Sequence, residues 1–232
     1  MKRGLCILVV MLASMYPARA ARPLLTDDAG TVEQGKIDLE PAYDLVMSRP
    51  DGSSNAPSLT IKHGLTGRMD IGIAFSHETD KDGDGHTMTW GMSPLALMIK
   101  MALVKGQPVL PDVSFSAAAA TGASEYGLNL IASKTVGRFG IHGNLGYEAS
   151  GQQMVRGEVA TGLAAEYSFA GRFRAVAEFN SEMTDDLKQV NGNSGLVGGS
   201  VSVGSSMFDL GVRLYDRRGP KTGLTAGYTI VF

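Results

Sequence analysis

The stretch K-T-G-L-T-A-G-Y-T-I-V-F, Lys221 to Phe232, decides the fold. Counting back from Phe232, every second residue is apolar: Ile230, Tyr228, Ala226 and Leu224. Val231, Thr229, Gly227, Thr225 and Gly223 stand between them and are mostly small or polar. A period of two puts the sets on opposite faces of one strand. An aromatic side chain beside a terminal carboxylate is not expected in a soluble core. It suits an interface between water and hydrocarbon.

The same alternation recurs upstream. Strands are predicted at Lys36 to Met47, Pro57 to Leu65, Met69 to Glu78, Thr87 to Val104, Asp112 to Thr121 and Glu125 to Val136. Others start at Phe139, after the loop Ala149 to Arg156, and after Ala170-Gly171; the last three are Ser194 to Val203, one through Phe208 to Tyr215, and the closing one. Met69, Ile71, Ile73 and Phe75 alternate cleanly with Asp70, Gly72, Ala74 and Ser76. Pro41 in the first strand predicts a bulge, and so does the slip of pattern at Ser93-Pro94 in the fourth.

That makes an even number, twelve. Tight turns at 66–68, 137–138, 170–171 and 204–206 mostly alternate with longer polar loops at 48–55, 79–86, 149–156 and 182–193. Bacterial outer-membrane barrels have this asymmetry, with short periplasmic turns and longer outer loops. Phe139, Phe169, Phe173, Phe208 and Phe232 flank the short-turn end, as one interfacial girdle would. Trp90, Tyr126, Tyr147 and Tyr215 are candidates for the other. The expected fold is therefore all-β, a single antiparallel transmembrane barrel of about twelve strands. A secreted β-sandwich also alternates, but leaves the turn asymmetry unexplained.

Three segments follow. Residues 1–20 read as a cleaved export signal: Lys2 and Arg3, an apolar run from Gly4 to Tyr16, then Ala18-Arg19-Ala20. That run is too short to span as a helix. Residues 21–35 have no period and form a periplasmic arm or plug, and 36–232 form the barrel. Cys6 is the sole cysteine of the 232 residues and falls in the signal, which closes disulfide and cysteine-metal readings for the rest. With Lys2, Arg3 and Arg19 removed, eighteen bases face twenty-three acids, a net charge that disfavours nucleic acid.

If the apolar set faces lipid, the other lines the lumen. By parity the inward charged set includes Asp38, Glu40, Asp44, Lys62, Asp70, Lys100, His142, Glu148, Glu166, Arg172, Arg174, Glu178, Asp209 and Arg213. Twelve strands tilted near 40° give a backbone diameter of roughly 24 Å, and side chains reduce the bore to about half that. Such a bore suits either a cation-leaning or neutral-solute channel or a closed barrel filled by ion pairs. Asp27 and Asp28 in the plug are expected to pair with Arg172 or Arg174. Asp80, Asp82 and Asp84 resemble the first half of a calcium loop, but Gly91 stands where the bidentate Glu belongs, so a solvated loop is expected. There is no Gly-x-Ser-x-Gly elbow and no phosphate loop, the histidines lack metal-ligand spacing, and neither an enzyme nor a cofactor is expected.

The opening R-P-L-L-T-D-D-A-G-T-V-E-Q-G-K-I-D-L-E-P-A-Y-D, Arg22 to Asp44, resembles the start of the outer-membrane proteins grouped with the meta-pathway of phenol degradation. G-R-F-G-I-H-G-N-L-G-Y-E, Gly137 to Glu148, and the closing strand are similar to that family too. The resemblance implies an outer-membrane channel or transporter, porin-like, passing small, hydrophobic or aromatic solutes. Its partners would be the bilayer, lipopolysaccharide and the solute.

Overall fold

A computed structural model describes residues 23–48, 52–122, 124–149, 155–216 and 221–232. The proposed export signal lies outside them. The strands are β1 (Ile37–Ser48), β2 (Gly52–Thr66), β3 (Met69–Lys81), β4 (Thr87–Met92), β5 (Ala96–Val104), β6 (Asp112–Ala120), β7 (Tyr126–Val136), β8 (Phe139–Ala149), β9 (Glu158–Phe169), β10 (Phe173–Thr184), β11 (Val190–Val203), β12 (Ser206–Tyr215) and β13 (Lys221–Val231). Each pairs antiparallel with its chain neighbour, except that β4 and β5 both pair with β3. They are two halves of one wall position, so the wall has twelve. β1 pairs with β13, and Ile37 and Phe232 exchange backbone hydrogen bonds of 3.3 and 2.9 Å at the seam. The sheet is a closed barrel with no free edge, which leaves no unpaired strand toward hydrocarbon.

Alternation fixes what faces outward. On β12, Leu210 is 62% exposed while Asp209 and Arg213 are 4% exposed. A greasy outer band and a charged interior therefore trade places residue by residue, the arrangement of a barrel in lipid. At the short-turn end the girdle is a row of ring contacts: Phe139–Tyr167 at 4.7 Å, Phe169–Phe173 at 5.7 Å and Phe208–Tyr228 at 4.4 Å between centroids. At the other end Trp90 and Tyr126 are exposed, and Tyr126 lies against Tyr147 at 6.2 Å. Tyr215 is a correction. It belongs to the inward set of β12 and lines the interior beside Gly223.

The fourth predicted strand breaks between Met92 and Ala96, where the pattern slips. Ser93 donates from its amide to Ser76 O (2.8 Å), and its hydroxyl takes the Ser76 amide (2.8 Å) in return. Pro41 behaves differently from expectation. It sits opposite Leu59 with no bulge, and the ladder to β13 skips Glu40 and Pro41 without a shift of register. Missing one N–H costs a rung there, not the strand's alignment. The long-loop ends of β2, β3 and β10 reach past their predicted limits, to Gly52, Lys81 and Thr184. At the other end residues 170–172 turn the chain from β9 into β10, with Ala170 (φ 51°) and Gly171 (φ 68°) both left-handed.

Candidate interior site and the segment that occupies it

Before β1 the chain does not stay at the short-turn rim. Residues 23–34 run inside the barrel, starting from a parallel bridge between Gln34 and Gly64. Val32 N donates to Asp70 Oδ2 (2.8 Å), and Ala29 N donates to Ser133 Oγ (2.9 Å). Ser114 Oγ donates to Ala29 O (2.5 Å). Further in, Asn144 turns its carboxamide to serve both the amide and the carbonyl of Asp27, at 2.7 and 2.9 Å. Thr26 N donates to Glu178 Oε2 (2.5 Å), and Arg213 reaches Pro23 O (3.5 Å). These partners stand on β3, β6, β7, β8, β10 and β12. An extended segment with no ladder of its own must find a partner for each buried amide, and these inward side chains supply them.

Lys100 is the main charged partner. Its Nζ lies 2.7 Å from Asp27 Oδ2 and donates to the carbonyls of Asp28 (2.9 Å) and Gly30 (3.3 Å). The expectation that Asp27 and Asp28 meet Arg172 or Arg174 is thus corrected. Arg174 is already committed on the wall, to Glu166 (3.0 Å), Ser200 Oγ (3.0 Å) and Asp209 (3.6 Å). Asp28 instead accepts the Gly30 amide (2.5 Å) in a local turn.

The inward charged residues fall into two groups. Asp38, Glu40, Asp44, Lys62, Asp70, Lys100, Glu148, Arg172, Arg174 and Arg213 touch an open cavity of about 1260 Å³. Lys62 and Glu40 pair within it at 2.9 Å. His142, Glu166, Glu178 and Asp209 are instead sealed into buried pairs. Arg213 meets Glu178 at 2.6 Å, with both side chains almost fully buried. His142 Nδ1 shares a 2.8 Å hydrogen bond with Ser133 Oγ, while Nε2 lies 3.8 Å from Glu166. Strand parity could place Ser133 inward, but not opposite His142; that needs the β7–β8 register. Ser133 Oγ also takes the Ala29 amide, so the hydroxyl is an anchor for the segment.

The cavity is lined from most strands of the barrel and by the segment itself, and it follows β1 and β13 along Glu40, Asp44, Thr225, Thr229 and Val231. It touches Glu148 and Glu182 toward the long loops and Arg172 and Ser205 at the short-turn rim. Nine Asp and Glu side chains line it against six Lys and Arg, so its lining is net acidic. In the outer loops, the Thr184 hydroxyl holds the Asp186 carboxyl below its ordinary range, with Arg156 also in contact. The Asn193 amide does the same for Asp216. Of the calcium-loop candidates, Asp82 and Asp84 gather with His86, while Asp80 lies in β3 opposite Thr89. Asp82 Oδ1 is taken by the amides of Asp84 (3.0 Å) and His86 (2.8 Å).

No protein-family model matches the sequence, and no curated protein matches it. Solved structures do resemble it. An outer membrane channel from Pseudomonas putida F1 superposes with a TM-score of 0.65, at 12% identity, over 88% of this chain and 98% of that one. This is an outer-membrane-type barrel. The NanC porin follows at 0.58 and 10% identity, over 84% of this chain and 98% of its own. The CymD monoaromatic hydrocarbon channel gives 0.53 at 9% identity, over 86% and 89%.

Proposed function

We propose that this chain is a channel of the bacterial outer membrane that passes small solutes beside its own N-terminal segment, which acts as a partial plug. One observation carries the reading: a single cavity touches residues near both rims along the β13–β1 wall, while residues 23–32 are fastened to other strands. The acidic excess along that path favours cations and neutral molecules over anions. Small aromatic solutes are the proposed cargo. The resemblance of Arg22 to Asp44 to the phenol meta-pathway outer-membrane proteins supports this, as does the fold shared with a monoaromatic hydrocarbon channel. Lipid and lipopolysaccharide would surround the outer band.

A closed structural barrel is the competing reading, favoured by the sealed pairs of Glu166, Arg174, Glu178, Asp209 and Arg213. Planar-bilayer recording separates the two. The full chain should give a small steady conductance, and deletion of Leu24 to Thr31 should raise it. If neither protein conducts, the barrel is closed.

A further inference from the structure

Pro23 and Leu24 touch an apolar stretch of the interior wall. Two cross-strand rows meet there. Ala164, Glu178, Leu196 and Arg213 form one row, and Glu166, Val176, Gly198 and Gly211 the next. Ala164, Val176 and Leu196 are 1%, 5% and 2% exposed and cluster around Leu24. The two glycines make room for Pro23: a Cβ on Gly211 would stand 2.9 Å from Pro23 Cβ, and one on Gly198 3.0 Å from Pro23 Cγ. Glu178 and Arg213 flank this patch and hold the backbone, taking the Thr26 amide and donating to Pro23 O. An apolar depression two residues wide, walled by ion pairs, is thus built into a charged lumen and filled by the chain itself.

We infer that this depression is a binding site for a small apolar molecule about the size of one aromatic ring, for which Leu24 and Pro23 are the resident competitor. The inference rests on the channel reading and supplies the contact by which such a solute would loosen the segment. Charged walls of an aqueous bore offer an apolar solute little; Ala164, Val176 and Leu196 offer a dry surface. Solute and segment cannot share that surface, so binding of one is linked to release of the other.

The test uses the full chain in lipid nanodiscs with fluorobenzene as probe, read by ¹⁹F NMR, and in planar bilayers by current. Leu24→Ala empties the depression and should tighten fluorobenzene binding by about tenfold or more. Ala164→Phe fills it and should abolish binding. Val176→Thr, nearly equal in volume, should weaken binding with the barrel intact, as judged by its heat-modifiable gel mobility. Fluorobenzene should also raise the current of the full chain and leave that of the Leu24–Thr31 deletion unchanged. Equal binding by the full chain and Leu24→Ala, or undiminished binding by the Ala164 and Val176 variants, overturns the site. A deletion variant that does not conduct overturns the channel reading instead, and the NMR result stands apart from it.

Discussion

Lys100 holds three points of the N-terminal segment with one ammonium: a carboxylate and two carbonyls. Replacing it with Met keeps the aliphatic stem and removes all three. Asp27 keeps some water, with 36% of its side chain exposed, so the loss falls below the ~3–5 kcal/mol of a fully buried pair. Roughly 1–2 kcal/mol is expected after solvent screening. Lys100→Met should therefore raise the time spent in a larger-current state by about tenfold, measured in bilayers, with heat-modifiable mobility unchanged. Unaltered currents would mean that Lys100 does not hold the segment. This pairing was out of reach of the sequence, although both residues are visible in it. A period of two states which face a side chain is on. It does not state height or azimuth around the barrel, which depend on the stagger of every strand. The same gap hid the Ser133–His142 contact and turned expectation toward Arg172 and Arg174.

The strands were almost all legible, because an apolar outer face and a small or charged inner one leave the strongest two-residue pattern a chain can carry. The slip of pattern at Ser93-Pro94 was legible too, but it predicts a bulge where the strand in fact breaks into β4 and β5. Strand ends were not: once past the greasy band, polar residues such as Ser53, Thr79 and Asp80 pair as readily as they would form loops. The segment before β1 gave no periodic signal because it belongs to no sheet; its order comes from side chains on other elements. One place where segment and wall nearly touch is β9. A Cβ on Gly162 would stand 2.5 Å from Thr26 Oγ1 and 2.6 Å from Asn180 Oδ1. Gly162→Ala should leave the strand ladder intact, since Ala fits a strand, but should push Thr26 off Glu178 and Asn180. The expected outcome is an increased current with unchanged thermal stability of the barrel. A stability loss without a current change would show that Gly162 serves the wall and not the segment.

For the molecule as a whole, charge along the path decides what passes. Nine acids against six bases, with Glu40 tied to Lys62 and Asp27 to Lys100, leave a negative balance around the opening. In a KCl gradient the reversal potential should carry the sign of cation preference. Asp44→Asn combined with Glu148→Gln should move it toward zero by removing two charges at the long-loop end. An anion preference in the full chain would contradict the acidic path. The Asp186 and Asp216 carboxyls sit below their ordinary range, so folding gains from their charge above that range and loses the gain as pH falls through the lowered values. The outer loops they brace should accordingly loosen only in strong acid, seen as faster proteolysis of the loops there.

The segment inside the wall meets its surroundings through separate hydrogen bonds, the ammoniums of Lys100 and Lys105 and the packing of Leu24, and it joins β1 through Lys36. Its covalent attachment supplies local concentration and nothing more. A free peptide spanning Pro23 to Gln34, added in solution to the deletion variant, should therefore find the same seats and lower its current to that of the full chain. What the chain carries at its front is, in physical terms, a tethered inhibitor of its own pore.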